Sequence, residues 1–391
     1  MRLNRSLRER LGDVEIHLSS KSPIYERLLE EFPAEKERIH EVLMPTPIDG
    51  RFGPSVPRSM ANILLPVDSS PPLVRQVVDY LREERRLYNE EKFDLVINDG
   101  DMGSNILASN RSVPSLFVTN QYMPRLWLSR SYFYPSMAFV ARQIAKASRI
   151  LVADSAPPYT MCEYNLNFPD KVAEKVSYVG HFTSGGKVSP GEKSDLEKLI
   201  EGADYGYWMR TGNRSTNDGT GERYERAFAS PEMSGERRIV SHARNDPSID
   251  AVAGRDGRRY SISEAYEKKV DWIQIDVGFL SEQEKNSVIE GCKYAVVNGS
   301  HTVMGEIMGG KARPIIGIPV YDEHTNQIRW AEEKGLGVLA GSTKSVLAGI
   351  VRIRGDYARF EEALADFAAN FDGGGASNTA EIAAGILEDG A

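Results

Sequence analysis

The sequence predicts an α/β protein built from two doubly wound, parallel-sheet domains that face a cleft. Short apolar runs alternate with helical patterns along the whole chain, as βαβ units require. A stretch without apolar periodicity then divides these runs into two comparable halves. The 391 residues are enough for two domains with sizeable cores.

Taken in order, the first-half strands are expected in VEIHLSS, FDLVINDGD, SLFVTNQ, RILVADS and VSYVG. The second-half strands are expected in YGYWMR, RRIVSHA, WIQIDV, YAVVNGS and PIIGIPV. Between them, GHFTSGGKVSPGEKSD gathers Gly, Ser, Pro and Lys, the composition of a linker. The expected division is a first domain over 1–182, a linker over 183–200 and a second domain over 201–355. Residues 356–391 read as two amphipathic helices broken by a Gly-rich turn. In open α/β sheets, ligands bind beyond the carboxyl ends of the strands, so the site is expected in the cleft between the domains.

Composition narrows the function. The net charge is −8 with charges interspersed, which argues against a dedicated nucleic-acid binder. Cys162 and Cys292 lie in different halves, which suits a reducing compartment and two plain buried thiols. The N-terminal MRLNRSLRERLGDVEIHL has no apolar signal core, and no apolar run approaches the roughly 20 residues that span a bilayer. A cytoplasmic protein is expected, peripheral at most to the inner face of a membrane. No G-x-G-x-x-G follows a first strand and no G-x-x-x-x-G-K-[ST] occurs, so a dinucleotide-dependent dehydrogenase and a P-loop enzyme are poor fits.

The most informative segment is KYAVVNGSHTVMGEIMGGKARPIIGIPVYDEHTNQIRWAEEKGLGVL, a strand, polar turn, helix, strand, polar loop and helix ending in a Gly-rich C-cap. Small residues at Gly299, Ser300 and Gly305 allow a ligand to approach the backbone, and the helix start favours an anion such as phosphate. This segment resembles the GT-B glycosyltransferases, in particular the family 28 group that includes the lipid-linked N-acetylglucosaminyl transferase of peptidoglycan synthesis and archaeal relatives. Their pattern is like G-G-H-N-T-[VI]-x-E-A…G-K-P, followed by a strand, Pro and a loop rich in Asp, His, Asn and Gln. The matching residues are Gly299, His301, Thr302, Val303, Glu306, Lys311 and Pro314, then Pro319, Asp322, His324, Asn326 and Gln327. The match is specific over this segment and topological elsewhere.

The resemblance implies two Rossmann-like domains, the second binding a nucleotide-sugar donor. Glu306 would accept hydrogen bonds from both ribose hydroxyls, a charge-assisted pairing suited to a carboxylate; the alternative is a solvated helix Glu. Ser300, His301 and Thr302 would hold the diphosphate, and Asp322, His324, Asn326 and Gln327 would meet the donor sugar. DVGFLSEQE resembles the segment whose backbone reads the base, which places Phe279 and Leu280 near a uracil; Phe279 in a core is the alternative. RTGNRSTNDGTGERYERAF occupies the place of a family glycine loop, with Gly212 and Arg214 as donor contacts, and a surface loop without that role fits equally well.

The family begins with a strand and a Gly-rich loop before a helix starting R-S-L. Here Arg5, Ser6 and Leu7 resemble that helix, and the first strand with its loop is missing, an absence read as a start codon assigned too late or a true loss. The loop usually carries the general base, so Asp99 and Asp101 of NDGDMGSN become the catalytic candidates, set against an Asp-Gly turn and helix caps. Asn120 and Gln121 are candidates for orienting the acceptor. QYMPRLWLSRSYFYPSMAFVARQIAKASR mixes aromatic and basic residues without an acid, which suits a lipid-linked acceptor or simply a packed helix with a basic face.

Retaining GT-B enzymes often carry a second Glu after the ribose-binding one; Pro314 occupies that position, so an inverting displacement is expected. No metal is implied, because GT-B proteins place helix starts and basic side chains at the leaving diphosphate. A donor-dependent inverting transferase using a UDP-sugar is the leading expectation. A non-hydrolysing UDP-sugar 2-epimerase and a catalytically silent nucleotide-sugar binding protein are the alternatives.

Overall fold

A computed structural model describes residues 2–46, 48–50, 53–126, 134–183, 191–211 and 214–390. Every apolar run quoted above contains a strand. In the first domain β1 (Leu18–Ser20) pairs in parallel with β2 (Ile39–Glu41), and β3 (Asp49–Gly50) pairs with β4 (Gly53–Pro54) as a small antiparallel ribbon. Strands β5 (Val96–Asp99), β6 (Ser115–Thr119), β7 (Arg149–Val152) and β8 (Val176–Tyr178) form a separate parallel sheet in that order. Strand β6 is buried along its whole length, which is why SLFVT reads as a continuous apolar run. Among the described residues no strand joins β1–β2 to β5–β8, so this domain carries its parallel sheet in two pieces.

The second domain has one sheet. Its strands are β9 (Gly206–Met209), β10 (Arg238–Ser241), β11 (Ala251–Gly254), β12 (Arg259–Tyr260), β13 (Trp272–Val277), β14 (Tyr294–Val297), β15 (Ile315–Gly317) and β16 (Gly337–Leu339). Their spatial order is β12-β11-β13-β10-β9-β14-β15-β16. All neighbours are parallel except at β11 and β12, an antiparallel edge that the expectation of wholly parallel sheets omitted. GLGVL, expected to be a C-cap, holds β16 as well, because its Val338 packs inward against Ile316 on the edge of β15.

Two expected boundaries shift. Within the expected linker, residues 184–190 lie outside the described residues, and Asp195–Ile200 is a helix. A capping box of Ser194 and Glu197 starts it, and Leu196 and Ile200 join the second domain's core. The C-terminal helices form at Tyr357–Ala369 and Gly375–Gly390, but the latter packs on the first domain. Its Ala380 and Ala383 share a core with Leu7, Leu116, Val118 and Leu151.

The expected glycine loop RTGNRSTNDGTGERYERAF is mostly a helix, Arg214–Phe228. Tyr224, Ala227 and Phe228 bury one of its faces in the second core, and that apolar burial outweighs the helix-weakening glycines. Gly212 lies outside the described residues.

Candidate active site

The strand order of the second domain reverses between β9 and β14: β10 lies on one side of β9 and β14 on the other. Crevices open at such switch points, beyond the carboxyl ends of the strands. The turn after β14 is tied to the segment after β9, with Asn298 Nδ2 donating to the Thr211 carbonyl at 3.1 Å. Asn298 Oδ1 in turn accepts from the Ser300 backbone N–H at 3.0 Å. Gly299 between them has φ +96°, and a Cβ there would fall 2.7 Å from the Cβ of His324, so the turn needs glycine for conformation and for space.

The helix that follows starts at His301 and passes into a π turn over Gly305–Gly309. Glu306 stands five residues after His301, the separation that the family pattern has from His to Glu, and it lies within the π turn. Glu306 is half-buried and paired with Lys285, Nζ to Oε1 at 2.5 Å. Thr302 is exposed beside it and Ser300 is half-buried. On the far side of β9, Arg210 reaches His242 Nδ1 at 3.2 Å, and His242 Nε2 pairs with Asp276 Oδ1 at 3.0 Å. After β13 the Gly278 N–H is held by Asp250 Oδ1 at 2.7 Å. Phe279, next along, is 64% exposed, whereas Leu280 joins the core. The two residues expected near a base therefore part: the Phe279 ring is free to meet one, and Leu280 can contribute only its backbone.

The opposing wall comes from the first domain. Asp154, just beyond β7, is fully buried, and its Oδ2 lies 2.9 Å from His301 Nε2. His181, after β8, brings its Nε2 to 2.8 Å from Asp154 Oδ1 without hydrogen-bond direction, and its ring stacks on His301 with centroids 4.8 Å apart. Burial pushes the Asp154 carboxyl up, but the two imidazoles outweigh it and hold the group well below the usual carboxylate range. Burial pushes His181 down. Gly305 allows this approach, since a Cβ there would fall 2.9 Å from His181 Nδ1.

The sugar-binding candidates lie on or beside helix Asp322–Glu333 and mostly face this seam. Asn326 donates to Asn165 Oδ1 at 2.8 Å and to the Arg125 carbonyl at 3.0 Å. Gln327 donates to Glu323 Oε1 at 3.2 Å, and Asn120 donates to the same oxygen at 2.9 Å from the first domain. Burial raises the Glu323 carboxyl, and it drives His324 down to about 4. The carbonyl oxygens of the Asn326 and Gln327 side chains and Nδ1 of His324 are sealed from solvent without partners. Asp322 is half-buried at the start of the helix.

The first-domain candidates divide. Asp101 caps helix Met102–Asn110 through the Gly103 N–H at 2.9 Å and also bonds Tyr80, so its carboxylate is occupied as the cap alternative foresaw. Asp99 ends β5 with an exposed surface, yet the protein around it is dense enough that desolvation raises its carboxyl. Asn120 is committed to Glu323, and Gln121 is exposed. Of the aromatic and basic segment, residues 127–133 lie outside the described residues; Tyr134 and Phe139 beyond them are exposed. The side chain of Arg214 is likewise outside them.

Sequence reasoning missed Asp154, His181, Lys285 and Glu323. Asp154 was findable, since it lies two residues beyond the carboxyl end of a strand. His181 and Glu323 carry no pattern of their own and acquire meaning only through the partner domain. Asp154, Cys162 and His301 bring ligand-type atoms within 4.8 Å of one another, but both Asp154 oxygens already take a backbone N–H at 2.8 Å, from Ser155 and Cys162, besides an imidazole each. A cation there would compete with those N–H groups for both carboxylate oxygens, so the group is a satisfied carboxylate more than a metal centre. Glu15, His17 and Glu91 group similarly, with Glu15 spent on Arg38 and His17. Cavities of about 600 and 500 Å³ lie away from the seam, one beside Glu41 and Gln76 and the other beside Tyr266 and Trp272.

No helix among the described residues is long and apolar enough to cross a membrane. No family model matches the sequence, and no curated protein matches it. Solved structures match along its whole length. TcCGT1 in complex with UDP is 12% identical with a TM-score of 0.63, covering 100% of this chain and 96% of its own. The glycotransferase of kitacinnamycin is 14% identical with a TM-score of 0.62, covering 99% and 94%. The spinosyn rhamnosyltransferase SpnG, complexed with thymidine diphosphate, is 13% identical with a TM-score of 0.60, covering 97% and 95%. These are GT-B glycosyltransferases, and the chain shares their fold.

Proposed function

We propose that the protein is an inverting glycosyltransferase that moves a sugar from a UDP-sugar to a hydroxyl acceptor. The observation that carries this reading is the switch point between β9 and β14. There a glycine-dependent turn linked to Thr211 leads directly into a helix that presents Glu306 on a π turn. Glu306 accepts the ribose hydroxyls, and Ser300, His301 and Thr302 meet the diphosphate. Phe279 lies against the base. Asp322, His324, Asn326 and Gln327, on the helix Asp322–Glu333, orient the sugar. Negative charge that develops on the departing diphosphate is met by the turn's N–H groups and hydroxyls, without a metal.

The first domain takes the acceptor. Asp99, exposed at the end of β5 with its carboxyl raised by desolvation, is the better placed of the two Asp candidates to remove the acceptor proton. A lipid-linked acceptor met at a membrane surface is the form of this reading that the exposed Tyr134 and Phe139 support.

Calorimetric titration with UDP, GDP and thymidine diphosphate tests the donor site, and NMR of the product's anomeric centre tests inversion. Selective UDP binding with an inverted product is expected. Binding without transfer to any acceptor or to water would point to a silent binding protein. Release of free 2-epimer would point to an epimerase. Absence of binding to all three nucleotides would overturn the reading.

A further inference from the structure

His301 belongs to one domain and the carboxylate that holds it belongs to the other. We propose that Asp154 is a positioning residue for the donor site: reaching across the domain seam, it accepts a hydrogen bond from Nε2–H of His301 and so holds the ring with Nδ1 turned toward the diphosphate. This rests on the nucleotide-sugar reading above. Asp154 is fully buried and pinned by the N–H groups of Ser155 and Cys162, both at 2.8 Å, so it cannot swing to follow the imidazole. The imidazole must come to it.

The two histidines at this carboxylate are not equivalent. Both ring nitrogens of His181 are sealed from solvent, and its ring is sandwiched between His301 and Phe371, with centroids 4.8 and 4.4 Å away. Nδ1 of His301 is not among the sealed nitrogens and carries no hydrogen bond among the described residues. His301 also directly follows the Asn298–Ser300 turn, whereas His181 lies behind it. The charged and titratable groups facing His301 are Asp154, His181 and Cys162 from the first domain, Glu323 from helix Asp322–Glu333 and Asp372 behind His181. Glu306 lies on its own helix with Lys285. Asp154 alone among them makes a directed bond to the ring.

The donor's second phosphate is gripped fully only when the domains are together. Removing the Asp154 carboxylate frees the His301 ring to turn, which weakens that grip and leaves the rest of the nucleotide site in place.

The test is calorimetric titration of the full chain with UDP and with UMP, which lacks the second phosphate, for the wild type and Asp154→Asn. The expected result is a UDP affinity about tenfold or more weaker in Asp154→Asn, with UMP binding the same in both proteins. An unchanged UDP affinity would overturn the proposal while the donor site stands. Absence of nucleotide binding by the wild type would instead overturn the glycosyltransferase reading. Long-range ¹H–¹⁵N spectra of the wild-type histidine rings, with His301→Gln for assignment, decide the pairing whether or not Asp154→Asn folds. A protonated Nε2 is expected, and an unprotonated Nε2 would overturn the proposal.

Discussion

Replacing Glu306 with Ala, measured with two nucleotides, isolates the ribose contact. A carboxylate accepting both ribose hydroxyls makes two charge-assisted hydrogen bonds, each worth about 1.5 to 3 kcal/mol. In the free protein one oxygen already faces Lys285 at 2.5 Å, with side-chain exposures of 14% for Glu306 and 24% for Lys285. Binding therefore exchanges part of that pair, which is worth at most about 1 kcal/mol where solvent reaches it. A net loss of about 3 kcal/mol, or roughly 150-fold in UDP affinity, is expected for Glu306→Ala. The 2′,3′-dideoxy analogue of UDP should bind Glu306→Ala and wild type alike, and Lys285→Met should affect both nucleotides only slightly. Calorimetry of the four combinations gives the coupling energy directly. An equal loss for both nucleotides would refute the ribose assignment and make Glu306 a structural partner of Lys285.

Further outcomes follow from the same structure. Gly299→Ala places a side chain at φ +96° and 2.7 Å from the His324 Cβ, so the second domain should lose about 2 to 5 kcal/mol in urea unfolding; a loss under about 1 would contradict the turn geometry. Burial, with Asp101 nearby, pushes the Glu84 carboxyl from 4.5 up to about 7, so the folded protein keeps a proton that the unfolded chain releases. Its contribution is complete below about pH 4.5 and lost as pH rises through about 7, some 3 kcal/mol in all. Glu84→Gln should flatten that loss and raise stability at pH 8; an unchanged pH slope would contradict it. Burial pushes both thiols up, Cys292 to about 12, so Ellman's reagent should label neither Cys162 nor Cys292 until denaturant is added.

The strands were legible because each is a short apolar run flanked by helical pattern, and parallel strands buried on both faces leave that signature. The edge pair β11–β12 was not, since AVAG and RY are too short and too mixed to stand out from turns. The helix Arg214–Phe228 was hidden by its glycines and Asn-Asp step; its reason to be helical is the apolar face of Tyr224 and Phe228, supplied by tertiary packing. In the site, the turn at Gly299–Thr302 and the carboxylate at Glu306 could be read locally. The π turn that holds Glu306 could not, because a single wide turn leaves no mark in periodicity over so short a helix. Asp101 shows the limit of local reading from the other side: an Asp before a helix is as good a cap as a base, and Tyr80 and the Gly103 N–H take it as a cap. Partners such as Asp154 with His301, or Asn120 with Glu323, are far apart in sequence and meet only where two domains do.

The return of helix Gly375–Gly390 to the first domain bears on how the chain is made. Leu7 packs against Ala380 and Ala383, Arg10 pairs with Glu381, and the His181 N–H waits for the Asp372 carbonyl. During synthesis the second domain emerges whole while the first still lacks one side of its core. The domain begun earliest is thus finished last, and a ribosome-bound chain stalled before Gly375 would display an unfilled apolar groove, an address for a chaperone.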